Sequence, residues 1–269
     1  MPVRKGARAL LSAGTLCATL SLTGCLLTGC ASPTPPAPAA PAPSSSPAAG
    51  DSRPAPGPPG KAANDLASAP VPAPRIPGLG PATQALVPDG TDQAFVVTGG
   101  TADSHTATAT LYRRGPAGRW TEVAGPWPAH NALEGWTEDH NAGDLRTPIG
   151  VFGIGDAGGL LPDPGSRLPY DQDEQFAISG TGFFDEPLEG SFDHVIAIDY
   201  NRVPGRTPLD RERPLGEEKG GGVWIHVDHG GPTQACIALA REAMRELLRA
   251  LDPAAEPVVV MGPARNLAR

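Results

Sequence analysis

The sequence predicts a mainly β fold with one α-helix near the C terminus. Short runs of β-branched and other apolar residues, separated by turns rich in Gly and Pro, recur from residue 93 to residue 261. A helical spacing of apolar residues is clear only in residues 241–251. Many short strands with a single packed helix are typical of a mainly β domain.

Each predicted element follows from its local pattern. Residues 93–99 are an apolar run that ends at a Gly-Gly turn, and residues 106–112 alternate Thr with Ala or Leu. In the predicted helix, apolar residues from Met244 to Leu251 recur at three- and four-residue spacing, and Asp252-Pro253 ends it. The other predicted strands are residues 120–123, 150–154, 194–200, 222–226 and 256–261.

Long loops and terminal segments complete the predicted organisation. Residues 1–30 have a basic start and an apolar stretch, and they resemble a lipoprotein signal peptide whose lipidated cysteine is Cys30 or Cys25. An uncleaved membrane anchor is the alternative. Residues 31–77 are mainly Ala, Pro, Ser and Gly, which predicts a disordered linker. Residues 78–263 then form one domain, in which residues 155–192 are loops of a length typical of lids or walls.

The composition disfavours two classes of function. The 269 residues carry a formal net charge of −8, whereas nucleic-acid-binding proteins usually present a basic patch. After the leader, no segment is apolar over the roughly 18 residues that a membrane helix needs. We therefore expect a monomer without a nucleic-acid partner, held at the membrane through its N-terminal lipid.

Residues 222–239 carry the pattern with the clearest chemistry. A predicted strand ends at His226, and a Gly-Gly-Pro turn then leads to Cys236, the single cysteine outside the leader. A thiolate nucleophile needs a base close in space, and this turn would fold the two residues together. We expect a helix to begin at Cys236, so that nearby amides stabilise an oxyanion. These amides belong to Thr233, Gln234, Ala235 and Cys236.

Two other interpretations apply to the same residues. His226, His229 and Cys236 are possible zinc ligands, but structural zinc sites need four ligands, usually at tighter and repeated spacing. We therefore expect no metal. Alternatively, Cys236 is an inert buried cysteine, although an unpaired thiol is a liability in an oxidising compartment.

Two segments resemble the catalytic domain of the L,D-transpeptidase family (YkuD type). His226, followed by Thr-Gln-Ala-Cys-Ile-Ala-Leu at residues 233–239, is similar to the family's His and Ser/Thr-x-Gly-Cys element. Residues 143–152 read Gly-Asp-Leu-Arg-Thr-Pro-Ile-Gly-Val-Phe and are similar to its Gly-Asp-x-x-Thr-Pro-x-Gly-x-Phe element. The resemblance covers residues 130–262, and two motifs in the right order are more specific than either alone.

The resemblance implies a β-sandwich-like L,D-transpeptidase fold and a role for each site residue. Cys236 would be the nucleophile, His226 the general base and acid, and the Val227 carbonyl would orient the imidazole. Ala235 and Cys236, beside Thr233 and Gln234, would form the oxyanion hole. Members of the family attack the third residue of a peptidoglycan stem peptide, expel the terminal D-alanine and need no cofactor. Carbapenems acylate the same cysteine.

The sequence departs from the family at the cysteine motif. Ala235 replaces a glycine, which costs roughly 1–2 kcal/mol if φ is positive there and little if φ is negative. Gln234 stands where many members have a second His, and the interval from His226 to Cys236 is short beside some subfamilies.

Three more residues are possible substrate contacts. Arg146 would match a substrate carboxylate, although the turn it forms with Asp144 and Thr147 favours a structural role. Trp224 lies two residues before His226, so both face one side of a strand, and Trp224 either walls the site or packs in the core. His229 would line the turn or face solvent.

The sequence thus predicts an exported cysteine L,D-transpeptidase on the outer face of the cytoplasmic membrane, where it forms 3→3 cross-links between stem peptides. One alternative is a non-catalytic wall-binding lipoprotein on the same scaffold. The other is an L,D-carboxypeptidase or amidase that transfers the acyl group only to water.

Overall fold

The computed structural model describes Val71 and residues 73–269. The predicted signal peptide, with Cys25 and Cys30, and nearly all of the predicted linker lie outside these described residues. The described chain is mainly β, as predicted, and ten strands join in one large mixed sheet. The strands are β1 (Gln93–Gly99), β2 (Thr106–Arg114), β3 (Trp120–His130), β4 (Trp136–Thr137), β5 (Thr147–Pro148), β6 (Gly150–Gly153), β7 (Ala157–Gly159), β8 (Tyr170–Gln172), β9 (Val195–Ala197), β10 (Trp224–Val227), β11 (Ile237–Leu239) and β12 (Val258–Pro263).

Helices contribute little to the described chain. The α-helices are α1 (Pro81–Gln84), α2 (Arg241–Ala250) and α3 (Ala264–Leu267), and short 3-10 turns span Glu174–Phe176, Glu217–Lys219 and Pro253–Ala255. The predicted helix is α2, which buries Met244, Leu247 and Leu248 against the sheet. Within residues 73–269, no helix is both long enough and apolar enough to cross a membrane.

The large sheet has the order β6-β12-β1-β2-β3-β11-β10-β9-β7-β8. The pairs β1–β12, β10–β11 and β7–β8 are parallel, whereas the other neighbours are antiparallel. Strand β3 joins the two halves, because it pairs with β2 and, at its C-terminal end, with β11. Register shifts between Ala109 and Tyr112 mark bulges, which bend strands. The ten strands therefore form one continuous curled sheet.

Strand β1 separates two apolar cores. Phe95 and Val97 face the main core, which also contains α2 and the strands around the predicted site. Ala94 and Val96 face a second cluster on the other side of the sheet. Successive side chains of a strand point to opposite faces, so a strand buried on both faces reads as the continuous apolar run seen in the sequence.

The second core extends the folded unit beyond residues 78–263 at both ends. Ile76 is 1% exposed and Leu267 is 2% exposed, and both belong to the second cluster. Ala73 exchanges two backbone hydrogen bonds of 2.7 Å with Trp120. The last residues of the predicted linker are therefore part of the domain, held by the burial of Ile76 and by the backbone pairing of Ala73.

Cys236 does not begin a helix, contrary to the prediction. It precedes β11, whose three residues are fully buried between β3 and β10. A three-residue apolar run is too short for its period to separate a strand from a helix. Any oxyanion donors must therefore come from a loop that enters a strand.

Candidate active site

Parallel pairing of β10 and β11 brings the two predicted catalytic residues together. His226 lies opposite Ala238 in the register, so Cys236, which precedes β11, lies beside Trp224. The Trp224 amide donates a 3.3 Å hydrogen bond to the Cys236 sulfur. Trp224 and His226 project from the same face of β10, where both rings contact Phe192 at centroid distances of 5.0 and 5.3 Å.

Cys236 and His226 line one cavity of about 460 Å³. Part of its wall comes from residues 178–192, the end of the long loop segment that was predicted to form a wall or lid. Other walls come from three consecutive glycines and from the turn before the cysteine. Further lining residues are His140, Leu145, Phe183, Leu188, Phe192, Gly220, Gly221, Gly222, His229, Thr233, Gln234 and Ala235.

The imidazole of His226 is oriented by a backbone carbonyl. Its Nδ1 lies 2.9 Å from the Val227 oxygen, which is the contact implied by the family resemblance. Because a carbonyl can only accept, Nδ1 carries the proton and Nε2 keeps its lone pair. Burial lowers the pKa of His226 to about 4, so the ring is neutral at pH 7.

The Cys236 thiol is also neutral in this state. Its sulfur accepts from the Trp224 amide and donates to the Gly222 carbonyl at 3.7 Å, and burial raises its pKa to about 11. Among the described residues, no hydrogen bond joins the thiol to His226. Catalytic hydrogen bonds are often long in free enzymes and shorten when substrate binds. The resting pair is therefore a thiol and a neutral imidazole.

In the loop before Cys236, Thr233 is held by hydrogen bonds, whereas the backbone amides of residues 234–236 remain available as oxyanion donors. The Thr233 hydroxyl donates to the Cys236 carbonyl at 2.7 Å, and the Thr233 amide donates to Asn131 at 3.0 Å. The Thr233 amide is thus engaged and is not an oxyanion donor, contrary to the prediction. In the described chain, no backbone hydrogen bond outside the strand ladders uses the amides of Gln234, Ala235 or Cys236.

The upstream Thr-Pro element supports this loop. Thr147 is fully buried, and its hydroxyl accepts from the Ala132 amide at 3.0 Å. Ala132 forms a bridge with Thr233, and the neighbouring Leu133 amide donates to the Thr233 carbonyl at 3.0 Å. A continuous set of contacts therefore joins the Thr-Pro element to the cysteine loop.

Arg146 is not among the residues that line the cavity, and it takes the structural role that its turn favoured. Its guanidinium lies 3.2 Å from the Asp103 carboxylate and 3.3 Å from the Trp136 carbonyl. Asp144 accepts from the Arg146 amide at 2.9 Å, so this segment forms the predicted turn. The neighbouring Leu145, with φ of 55°, lines the cavity instead.

His229 is buried against a carboxylate, not turned to solvent. Its side chain is 5% exposed, and its Nδ1 lies 3.1 Å from Oε1 of Glu186. The His229 ring stacks on that of His226, with 5.8 Å between centroids and 12° between planes. Glu186 was not predicted as a site residue, because no sequence pattern connects a residue of the long loop to a histidine 43 positions later.

Trp224 lies in an aromatic cluster behind the cavity. Its ring contacts Phe192 and also Phe176, at a centroid distance of 5.7 Å. It lines a second cavity of about 560 Å³, which shares Phe192 and Gly222 with the first. Trp224 therefore supports the side of Phe192 opposite to the thiol cavity, a position between the two predicted roles.

His226, His229 and Cys236, the three residues weighed as zinc ligands, all line the first cavity. Within the described part of the chain, no group of three or more His, Cys, Asp or Glu side chains is arranged to hold a metal ion.

Models of known protein families do not match the chain, and neither does any curated protein. The roles of Cys236 and His226 therefore have to be inferred from the geometry of the cavity and from the two short motifs.

Proposed function

We propose that the chain is a cysteine-dependent L,D-transpeptidase that acts on peptidoglycan stem peptides. The observation that supports this most strongly is that Cys236 and His226 line one cavity. Beside them, in the described chain, the amides of residues 234–236 make no backbone hydrogen bond outside the strand ladders. A nucleophile, a base and oxyanion donors are the parts that acyl transfer through a thioester requires. The two sequence motifs favour the L,D-transpeptidase fold among mainly β folds.

In the first half-reaction, the Cys236 sulfur attacks the carbonyl carbon of the third stem residue. The thiol proton passes to Nε2 of His226, and the amides of Ala235 and Cys236 stabilise the oxyanion. Collapse expels the terminal D-alanine, whose nitrogen takes the proton from His226. Because the resting pair is neutral, proton transfer accompanies the attack.

In the second half-reaction, an amine of another stem peptide attacks the thioester and forms a 3→3 cross-link. His226 takes a proton from the attacking nitrogen as the amide forms, and the sulfur leaves as a thiolate that regains this proton from His226. Attack by water would release a tripeptide instead.

The proposed location follows from the N-terminal segment. Lipidation at Cys30 or Cys25 would hold the chain at the outer face of the cytoplasmic membrane. A Pro-rich tether extends by about 3 Å per residue, so the linker would let the domain reach the cell wall.

The test is intact-protein mass spectrometry of the full-length chain after incubation with a carbapenem. We expect one adduct on Cys236 and none in Cys236→Ala. His226→Gln should slow acylation by about 10²-fold or more, because it removes the base. His130→Gln is the matched control, since His130 is outside the cavity lining and should leave acylation unchanged.

A non-catalytic wall-binding protein is the second candidate, favoured by the neutral thiol and its contact with the Gly222 carbonyl. A thiol that reacts with a small alkylating reagent but not with the carbapenem would support this role. An adduct combined with tripeptide as the only product of a stem peptide would support a carboxypeptidase.

A further inference from the structure

The cavity contains a second imidazole that the proposed mechanism does not use. His229 lines the same cavity as Cys236, and its ring is stacked on that of His226. Its partner Glu186 is 11% exposed at the side chain, so both members of this pair are largely removed from water. A paired imidazole and carboxylate beside a nucleophile form an arrangement that can accept a proton.

The chain builds a slot for the Glu186 carboxylate. Oε1 faces His229, and Oε2 accepts from the Phe184 amide at 2.7 Å. Gly182 and Gly231 lie against Oε1 so closely that a Cβ at either position would collide with it. Burial opposes ionisation, but backbone N–H groups and His229 outweigh it and hold the pKa of Glu186 below its ordinary value.

The two histidines therefore have different partners. An ionised carboxylate can only accept, so Nδ1 of His229 carries a proton and Nε2 is its basic atom. His226 has the same tautomer, but its Nδ1 faces the neutral carbonyl of Val227. A carboxylate stabilises an imidazolium more than a carbonyl does, because opposite charges attract.

Transfer to an amine requires that a proton be removed from the acceptor before it attacks, whereas transfer to water does not. An alkyl ammonium has an ordinary pKa of about 10.4, so an acceptor amine arrives protonated at pH 7. The balanced step is ammonium plus thioester giving amide, thiol and one released proton. The ammonium loses one proton before its lone pair can attack and a second when the amide forms. Hydrolysis also releases one proton at pH 7, because the carboxylic acid product ionises, but water needs no deprotonation before its lone pair is free to attack.

We propose that His229, held by Glu186, takes the first proton from the acceptor ammonium and passes it to solvent. His226 takes the second proton and returns it to the Cys236 thiolate. The C–N bond forms as the C–S bond breaks, and no oxidant or cofactor is involved. This inference rests on the proposed acyl transfer at Cys236. It implies that the second substrate of the cavity is an amine.

The experiment measures how the acyl-enzyme divides between two acceptors. The full-length chain receives a donor tetrapeptide whose side-chain amine is acetylated and a tripeptide acceptor with a free side-chain amine. Peptides with L-lysine and with meso-diaminopimelate at the third position are run in parallel. Mass spectrometry gives the ratio of cross-linked product to hydrolysed donor, and released D-alanine gives the acylation rate.

The variants are His229→Gln and Glu186→Gln, which keep much of the side-chain volume. Each should lower the ratio of cross-linked to hydrolysed product by about 10²-fold, the size of a general-base effect. D-alanine release in the absence of acceptor is measured for each variant, and the fall in the product ratio should exceed any fall in this release, since acylation uses the other histidine. His130→Gln removes a comparable histidine–carboxylate contact, 3.0 Å to Asp228, and should leave the ratio unchanged.

Three outcomes would overturn the inference. Equal losses of both products in the variants would mean that His229 only supports the fold. An original chain that becomes acylated but uses only water would contradict the amine-acceptor role and leave the acyl-transfer function standing. A chain that is not acylated at all would remove both proposals.

Discussion

Ala235 replaces a glycine of the family motif, and its backbone conformation shows why alanine is tolerated. In the described chain, the non-glycine residues with positive φ are Leu145, Asp185, Asn201 and Glu256, so φ of Ala235 is negative. The methyl group also packs against the main core. The loop therefore does not need glycine at this position.

Ala235→Gly should leave carbapenem acylation within about twofold of the original rate, because the backbone does not need the freedom of glycine. The free energy of unfolding should fall by about 0.5–1 kcal/mol, since glycine gains entropy in the unfolded chain. Stopped-flow acylation and urea denaturation provide the two measurements. A large gain in rate would show that the Ala235 methyl group crowds the oxyanion position.

The sequence predicted the residues of one local motif, but it did not predict the distant residue that contacts His229. His226, Val227 and Cys236 lie within eleven residues, the first two on β10 and Cys236 directly before the adjacent β11. Glu186 comes from a loop without regular structure, so its contact with His229 depends on tertiary folding. Arg146 was predicted either to meet a substrate carboxylate or to hold a turn, and it lies in that turn with its guanidinium beside Asp103.

At the element scale, β5 supports the cysteine loop through a single buried hydroxyl. Thr147 accepts from Ala132, and residues 131–133 hold the backbone of Thr233 on both sides. The Thr-Pro element thus has a structural connection to the nucleophile although it lies far away in sequence.

Thr147→Val should lower the free energy of unfolding by about 1–3 kcal/mol, because the buried Ala132 amide would lose its acceptor. Acylation of Cys236 should also slow, since the loop that carries the nucleophile is then less well fixed. Thr147→Ser is the control, because it keeps the hydroxyl. A valine variant as stable and as reactive as the original chain would show that this contact is unimportant.

The periodicity of apolar residues explains which strands and helices could be predicted. Strand β1 and helix α2 have clear periodicity, and their predicted bounds agree with the structure to within one residue. Strand β3 was predicted for residues 120–123 but extends to His130. It contains Pro126 and Pro128, which normally argue against a strand, and its bulges break the alternation.

At the scale of the whole molecule, burial of His226 makes folding sensitive to acid. Its pKa is about 4 in the folded chain and about 6.5 when unfolded, so only the unfolded chain binds the proton between these values. The free energy of unfolding must therefore fall as the pH drops from 6.5 to 4. The linked loss is about 3 kcal/mol.

His226→Gln removes this titration, so its stability should fall less between pH 7.5 and pH 4 than that of the original chain. The His130–Asp228 pair titrates in both proteins, and its contribution cancels in the comparison. Urea denaturation at both pH values gives the difference. Equal losses in the two proteins would mean that His226 is not held neutral by burial.

The fold class followed from the frequency of short strands, whereas the sheet order did not. The family resemblance begins near residue 130, but β1, β2 and most of β3 precede it and lie at the centre of the same sheet. The order of the strands in the sheet depends on pairing between distant segments, and the local pattern of residues does not encode that pairing.

The position of β12 has a consequence for the folding pathway. This last strand is inserted between β6 and β1, which have no direct pairing with each other. Until residues 258–263 emerge during synthesis, β1 presents an open edge, and closing it joins segments more than 150 positions apart. Such non-local pairing is slow. The nascent chain therefore keeps this edge of β1 unpaired until residues 258–263 have been made, and an unpaired strand edge is a template for pairing with another chain.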